Sequence, residues 1–355
     1  VVTQGTLEER QHQILVAVVC NYISTAEPVG SRTIAKKAGF GLSPATIRNI
    51  MADLEEFGFL AQPHTSAGRI PTDKGFRFYV DHLASSQRSL EDRDSSQIEE
   101  TLHSEIEVVN LMKKTTDLLS KLSNQAGLVL TPNLKNTVCR HIDFIKLGNA
   151  QVLVIFISES GLVHKRVILL DDEISQDTLD TMSKLITSEL MGLSLAQIRA
   201  KLFGMMEHEK TQFDLMYSNA VKLSQQFFSN EPDDSELFVG GAFNMMNQPE
   251  FSDVEKMRAL FKAFEEKRLL IRLLDKCIMN EEADHHATRV IIGEESTEED
   301  MRDLSLVLSS YKYGDRTLGV VGIIGPKRMD YTHIIPMVEY TAKTMSRLLT
   351  ERMDL

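Results

Sequence analysis

Residues 43–60 read SPATIRNIMADLEEFGFL, and this stretch decides how the first part of the chain folds. Ser43 is a helix N-cap residue, and Pro44 follows at the first helical position, where a missing N–H costs nothing. Gly58 ends the helix. At 100° per residue, Ile47, Ile50, Met51, Leu54 and Phe57 share one face and are expected in a core. The other side presents Ala45, Arg48, Asn49 and Ala52, with Thr46 on the flank. Asp53, Glu55 and Glu56 fall in the last turns, away from the N-terminal end.

Upstream, a helix is expected over about Leu7 to Ser24, with Leu15, Val18, Val19 and Tyr22 as its core stripe. A second follows with Ser31 as N-cap, Ile34, Ala35 and Ala38 inward, and Gly39 as its stop. The turn Gly39-Phe40-Gly41-Leu42 is short enough to hold the third helix across the second. Downstream, Phe59-Leu60-Ala61, then Gln62 to Gly68, then Arg69-Ile70-Pro71 read as strand, polar turn and return strand. Thr72 caps a closing helix with Phe76, Phe78, Tyr79 and Val80 as packing residues. Residues 7–82 therefore spell a winged helix-turn-helix.

That reading gives the polar residues a chemistry. Small side chains let a helix approach a major groove closely, an arginine can bond bidentately to guanine, and an asparagine can do so to adenine. Arg48 and Asn49, with Ala45 beside them, form such a surface. Ser43 is read as a cap and Thr46 as a phosphate contact. His64, Thr65, Ser66 and Arg69 in the wing, and Arg32 and Lys36 beside or on the second helix, are candidates for phosphate or minor-groove contact. The plain alternative for each is a solvated polar surface.

Charge tests this reading. The 355 residues carry 39 Lys and Arg against 51 Asp and Glu, a net −12 that argues against a polyphosphate partner. Resolved by region, residues 1–83 hold eight basic and eight acidic side chains, so the whole excess lies in 84–355, with 31 basic against 43 acidic. Within 28–80 the count is seven basic against four acidic, a local +3. The acidity belongs to the rest of the chain.

With 42% apolar residues, 25% charged residues and nine prolines, the chain is globular and not disordered or collagen-like. Residues 84–97 (ASSQRSLEDRDSSQ) have too few apolar side chains to bury a face and read as a linker. Ile98, Leu102, Ile106, Val109 and Met112 then mark one amphipathic helix running to about Leu122. GLVL, IDFIKL, VLVIFIS and LVHKRVILL, between 127 and 170, read as strands, as do RVIIGEE at 289–295 and TLGVVGIIGP at 317–326. Ser296 and Glu299 have capping-box spacing for a helix between the last two, and a final helix is expected over about Tyr331 to Met353. Separating the two strand blocks is a helical stretch rich in Met and Phe, so the sequence implies an α+β domain interrupted by an insertion.

The strings SPATIRNIMADLEEFGFL and PHTSAGRIPTDKGFRFYVD, with RVIIGEE and YKYGDRTLGVVGIIGPKRMDY further on, resemble the HrcA family, the heat-inducible transcription repressors of bacteria. The resemblance implies an α+β multidomain fold: a winged helix-turn-helix and a GAF-like domain interrupted by a mainly helical inserted dimerisation domain. It also implies a homodimer on double-stranded DNA at an inverted-repeat operator upstream of chaperone operons, with activity dependent on the chaperonin. Laid onto this chain, the layout becomes 1–83 for DNA binding, 84–97 as linker, 98–194 and 286–355 as the two GAF-like parts, and 195–285 as the insertion. Because a two-fold operator demands a two-fold protein, the Met- and Phe-rich insertion (Met205, Met206, Met216, Phe227, Phe228, Phe243, Met245, Met246, Met257, Phe261, Phe264) is read as a subunit interface.

The competing reading is a metabolite sensor whose GAF-like domain binds a small ligand, but the strands carry mostly packing residues. No catalytic constellation, cofactor motif or metal-ligand spacing is visible. Asp284-His285-His286 lacks further ligands because adjacent helical histidines diverge by about 100°. GIIGPKR at 322–328 lacks the P-loop frame. Cys20, Cys139 and Cys277 read as reduced core thiols. No apolar run is long enough for a membrane span, so the expected location is the cytoplasm.

Overall fold

A computed structural model of the chain describes residues 7–37, 40–65, 67–84, 90–105, 107–131, 138–148, 150–159, 161–170, 173–194, 197–198, 200–202, 215–229, 236–252, 257–258, 262, 264, 270–271, 273–274, 288–296, 298–314 and 316–353. The fold is α+β. The first part, or head, contains α1 (Glu9–Thr25), α2 (Ser31–Lys37) and α3 (Pro44–Glu56), the two-stranded antiparallel ladder of β1 (Leu60–Ala61) and β2 (Ile70–Pro71), and α4 (Asp73–Ala84). Ile14, Leu15, Val18 and Val19 of α1 meet Ile34 of α2 and Ile47, Met51 and Leu54 of α3 in one apolar core.

Local signals account for these elements, with small differences. Ser31 is the first helical residue and not the cap, because the Gly30 carbonyl already accepts from Thr33 and Ile34. Phe57, expected in the core, is 51% exposed, since it stands at the C-cap where the chain leaves α3. Thr72 caps α4 as expected, its hydroxyl accepting from Gly75 N at 3.2 Å.

The supposed linker and the helix after it divide differently. α5 (Asp92–His103) begins inside 84–97, and a break precedes α6 (Val108–Ser123). Asp92 and Asp94 suit the positive N-terminal end of α5. The polar residues of this helix have partners on α10 (Tyr331–Met353): Asp94 lies 2.6 Å from His333 Nε2, and Glu99 accepts from Tyr340 (2.8 Å) and from Arg347.

The body holds two antiparallel sheets. One has five strands in the order β7-β3-β10-β9-β8, comprising β3 (Ala126–Leu130), β7 (Leu237–Gly240), β8 (Thr288–Ile292), β9 (Leu304–Tyr313) and β10 (Arg316–Pro326). α6 and α10 cover one face, burying Val129, Val307, Val321 and Ile323. The other face buries Leu128, Leu130, Leu306 and Leu308 against Phe251, Leu270 and Leu274. Two buried phenols at this sheet are answered within the chain: the Tyr311 hydroxyl donates to Leu130 O at 2.8 Å and that of Tyr331, on α10, to Lys327 O at 2.7 Å. Burial pushes both phenols well above their ordinary range.

The second sheet, β4-β5-β6, comprises β4 (Cys139–Gly148), β5 (Gln151–Ser158) and β6 (Val163–Leu169). It packs on α7 (Gln176–Leu190) and α8 (Leu215–Ser229) around its own core of Phe144, Val154, Phe156, Met182, Ile186, Phe227 and Phe228. This regroups the elements. The strands at 127–170 do not form one sheet, and the segment leaving the five-stranded sheet after β3 returns at β7. The grouping of 98–194 against 195–285 therefore cuts across both cores. Strand alternation identifies a strand but not the sheet that recruits it.

The Met- and Phe-rich stretch is correspondingly mixed. Phe227, Phe228 and Met245 are buried within the chain, the first two stacked edge to face at 4.9 Å, whereas Phe243 on α9 (Ala242–Met246) is 73% exposed. Met205, Met206, Phe261 and the Met216 side chain lie outside the described residues. The helix expected from Ser296 is instead a pair of short 3₁₀ turns, Gly293–Glu295 and Glu299–Met301, leading into β9. Cys139 is buried, but Cys20 is exposed, its Sγ 3.4 Å from the Tyr79 hydroxyl; Cys277 lies outside the described residues.

Candidate nucleic-acid interface

α3 is built from its N-terminus by its cap. Ser43 has extended backbone, and its hydroxyl accepts from Thr46 N at 3.1 Å and lies 2.9 Å from Thr46 Oγ1. The Thr46 hydroxyl is thus part of the cap while its side chain stays exposed. Ile47, Met51 and Leu54 anchor the opposite face in the core. What remains outward is Ser43, Ala45, Thr46, Arg48 and Asn49, all exposed. Among the described residues neither Arg48 nor Asn49 has an ion pair or side-chain hydrogen bond, so their donors are free to bond an incoming group. Arg32 and Lys36 are likewise exposed on α2.

The turn between β1 and β2 is held from inside. Gln62 Nε2 donates to Thr65 O at 3.0 Å and Ala67 O at 3.1 Å, and Ala67 N donates to His64 O at 2.9 Å. His64 and Thr65 are exposed at its tip; Ser66 lies outside the described residues. Behind the turn, Val29 and Arg69 exchange backbone hydrogen bonds of 2.8 and 2.9 Å. This brings the segment before α2 against the return strand.

Arg69 has a different setting from the other site residues. Its guanidinium pairs with Glu55 of α3 at 2.7 Å, with both side chains only partly exposed. It ties the turn to the helix. Lys74 donates to Phe57 O at 2.8 Å and sits 4.3 Å from the centre of the Phe59 ring, and Arg77 pairs with Glu295. Three of the seven basic residues counted in 28–80 thus have partners in the chain, leaving Arg32, Lys36, Lys37 and Arg48 as its outward cations. The sequence did not reveal the roles of Gln62 and Glu55, because each depends on backbone or side chains that only the folded turn brings near.

No helix among the described residues is long and apolar enough to cross a membrane, and no group of three or more His, Cys, Asp or Glu there is placed to hold a metal ion. Asp284, His285 and His286 lie outside the described residues.

A solved crystal structure of a hypothetical protein, at 2.2 Å resolution, shares the fold with a TM-score of 0.63 at 22% identity, covering 98% of this chain and 99% of that one. The family model of the HrcA protein C terminal domain matches residues 109–335. The heat-inducible transcription repressor HrcA of Syntrophobacter fumaroxidans is 43% identical over 346 residues, 97% of this chain and 98% of that protein. The protein of the same name from Geobacter sulfurreducens is 43% identical over 345 residues, with the same coverage. The chain belongs to the heat-inducible transcription repressor HrcA family.

Proposed function

We propose that this chain is a heat-inducible transcription repressor that binds double-stranded DNA as a homodimer, reading an inverted-repeat operator with a winged helix-turn-helix. The observation that carries the reading is the two-sided character of α3. Its apolar face is locked into the head while Ala45, Arg48 and Asn49 stand exposed, the latter two with no bonding partner among the described residues. Arg48 and Asn49 contact base edges in the major groove. Arg32 and Lys36 meet phosphates, Thr46 supports the same contact through the cap, and the turn carrying His64, Thr65 and Ser66 is the wing. Arg69 orders the wing through Glu55.

The dimer is supported by the open face of β4-β5-β6. Register places Ile145, Leu153 and Val167 in one row and Ile157 and Val163 in another, on the side away from α7 and α8. Leu147, Val163, Val167 and Leu169 there are 51, 58, 52 and 70% exposed. Several large aliphatic residues on one sheet face mark a contact surface. We therefore place the inserted dimerisation domain on the second sheet and its helices, roughly 138–229, between the two parts of a GAF-like domain formed by the five-stranded sheet.

In the cytoplasm the repressor would act on chaperone operons, with chaperonin maintaining its activity, as the family resemblance implies. The test is selection of duplexes from a random pool by the full chain, followed by gel shift with and without purified chaperonin. An inverted repeat bound in preference to random DNA, and bound better with chaperonin, is expected. Absence of sequence preference overturns the repressor reading; a null effect of chaperonin overturns only its part in regulation.

A further inference from the structure

The motifs RVIIGEE and GPKRMD lie more than two hundred residues from the head, yet both touch it. Arg77 of α4 donates through Nε to Glu295 at 2.6 Å and through Nη2 to both the other Glu295 oxygen and Val290 O, the latter at 2.6 Å. Asp73, at the start of α4, accepts from Lys327 Nζ at 2.6 Å and from Glu294 N at 3.0 Å. Arg328 donates to Ile23 O near the end of α1 at 3.1 Å, while Glu250 and Gln248 hold the other edges of its guanidinium. Gly293 has a left-handed backbone (φ +49°), and a Cβ there would come within 2.2 Å of the Asp73 carboxylate. Only glycine admits the head this closely.

These contacts come from both ends of the head and converge on one end of the five-stranded sheet, where β8 and β10 finish. They lie beneath an apolar contact between Phe76 of α4 and Tyr331 of α10, with ring centres 6.4 Å apart. A head tethered only through the segment between Ala84 and Asp92 would explore a radius of roughly 15 Å. The socket removes that freedom without covering the outward residues of α3, which remain exposed.

We infer that this joint sets the distance and tilt between the two reading heads of the dimer, so that Asp73, Arg77, Gly293, Glu295 and Lys327 are positioning residues for operator recognition. The inference rests on the proposed DNA reading and says what orients it. A rigid pair of heads binds its second half-site at high effective concentration only where the half-sites lie at the right spacing and helical phase. A released pair loses that gain and the phase requirement with it.

The test uses the full chain carrying Glu295→Gln and Lys327→Met, with Gly293→Ala as an independent variant that leaves every charge in place. The probes are the inverted repeat selected by the unaltered chain, its isolated half-site, and repeats with the half-sites moved apart by half a helical turn and by a full turn. Each variant is expected to bind the half-site as the unaltered chain does. On the full repeat binding should fall about tenfold, and discrimination against the half-turn insertion should largely disappear. Unchanged affinity and phase preference overturn the joint. Equal losses on half-site and full repeat also overturn it, in favour of a damaged head. If the unaltered chain selects no inverted repeat, the DNA reading falls first and this inference falls with it.

Discussion

Gly68 and Gly30 lie on either side of the same backbone contact, and replacing each with alanine is expected to have opposite consequences. A Cβ on Gly68 would stand 2.5 Å from both Val29 C and Val29 O and 2.8 Å from Pro28 C, all backbone atoms with no rotamer to yield. The strands must part, which breaks the exchanged bonds between Val29 and Arg69. At about 0.5–1.5 kcal/mol net for each bond, Gly68→Ala costs about 1–3 kcal/mol of local stability. A Cβ on Gly30 meets nothing nearer than Thr33 Oγ1 at 3.9 Å. Its backbone does not need glycine, so Gly30→Ala should be neutral or stabilising by about 0.4–1 kcal/mol through the unfolded chain. Amide hydrogen exchange followed at Val29 and Arg69 reads the contact directly. Protection should fall about tenfold for each 1.4 kcal/mol lost in Gly68→Ala and persist in Gly30→Ala. Equal protection in both variants would refute the argument that backbone contact at Gly68 fixes the wing.

Other outcomes follow from the same structure. Arg48→Ala should lose about 1–3 kcal/mol of discrimination at particular bases, whereas Lys36→Ala should weaken all sequences alike and reduce the salt slope by about one; equal loss on operator and random DNA in a gel shift would exclude base contact by Arg48. Val167→Lys with Leu169→Lys should convert the dimer to monomer in sedimentation, and a persistent dimer would move the interface off the second sheet. Burial, then the His82 ring, hold the His12 imidazole below its usual 6.5, against a smaller pull from Glu9. The unfolded chain therefore takes up this proton first, so the stability linked to His12 is full above about pH 6.5 and lost as pH falls toward the folded value. Urea midpoints of His12→Gln between pH 7 and 5 should slope less steeply than those of the unaltered chain, and identical slopes would discount His12. Burial, followed by the nearby Glu159, pushes the Cys139 thiol up to about 12, so a thiol reagent at pH 8 should modify Cys20 and spare Cys139 until the chain unfolds.

What the sequence made legible was local. The cap at Ser43, the proline after it and the spacing of Ile47, Met51 and Leu54 define α3 without reference to anything distant, and the helix runs where they put it. The last helix was equally plain. The spacing of Ser296 and Glu299 points to a helix, whereas the strand at 304–313 exists through its pairing with β8 and β10 on either side, which no local signal carries. The first turns of α5, 92–97, read as linker by composition because a polar residue there, Asp94, has its partner His333 on α10, more than two hundred residues later. Arg69 illustrates the same limit within the site: composition marks a cation in a turn, but only the folded chain brings Glu55 to it.

The apolar interior of the head is continuous with that of the body. One cluster runs from Ile14 and Leu54 through Phe76 and Leu83 to Tyr331, Val338 and Leu349. Residues that share a core lose their packing together, so the head is not an independent unfolding unit. Heating that melts the five-stranded sheet takes away the packing of Phe76 and Leu83 on the body in the same transition. A damaged body is then expected to take the reader with it, and repression should end with one sharp step instead of fading by degrees.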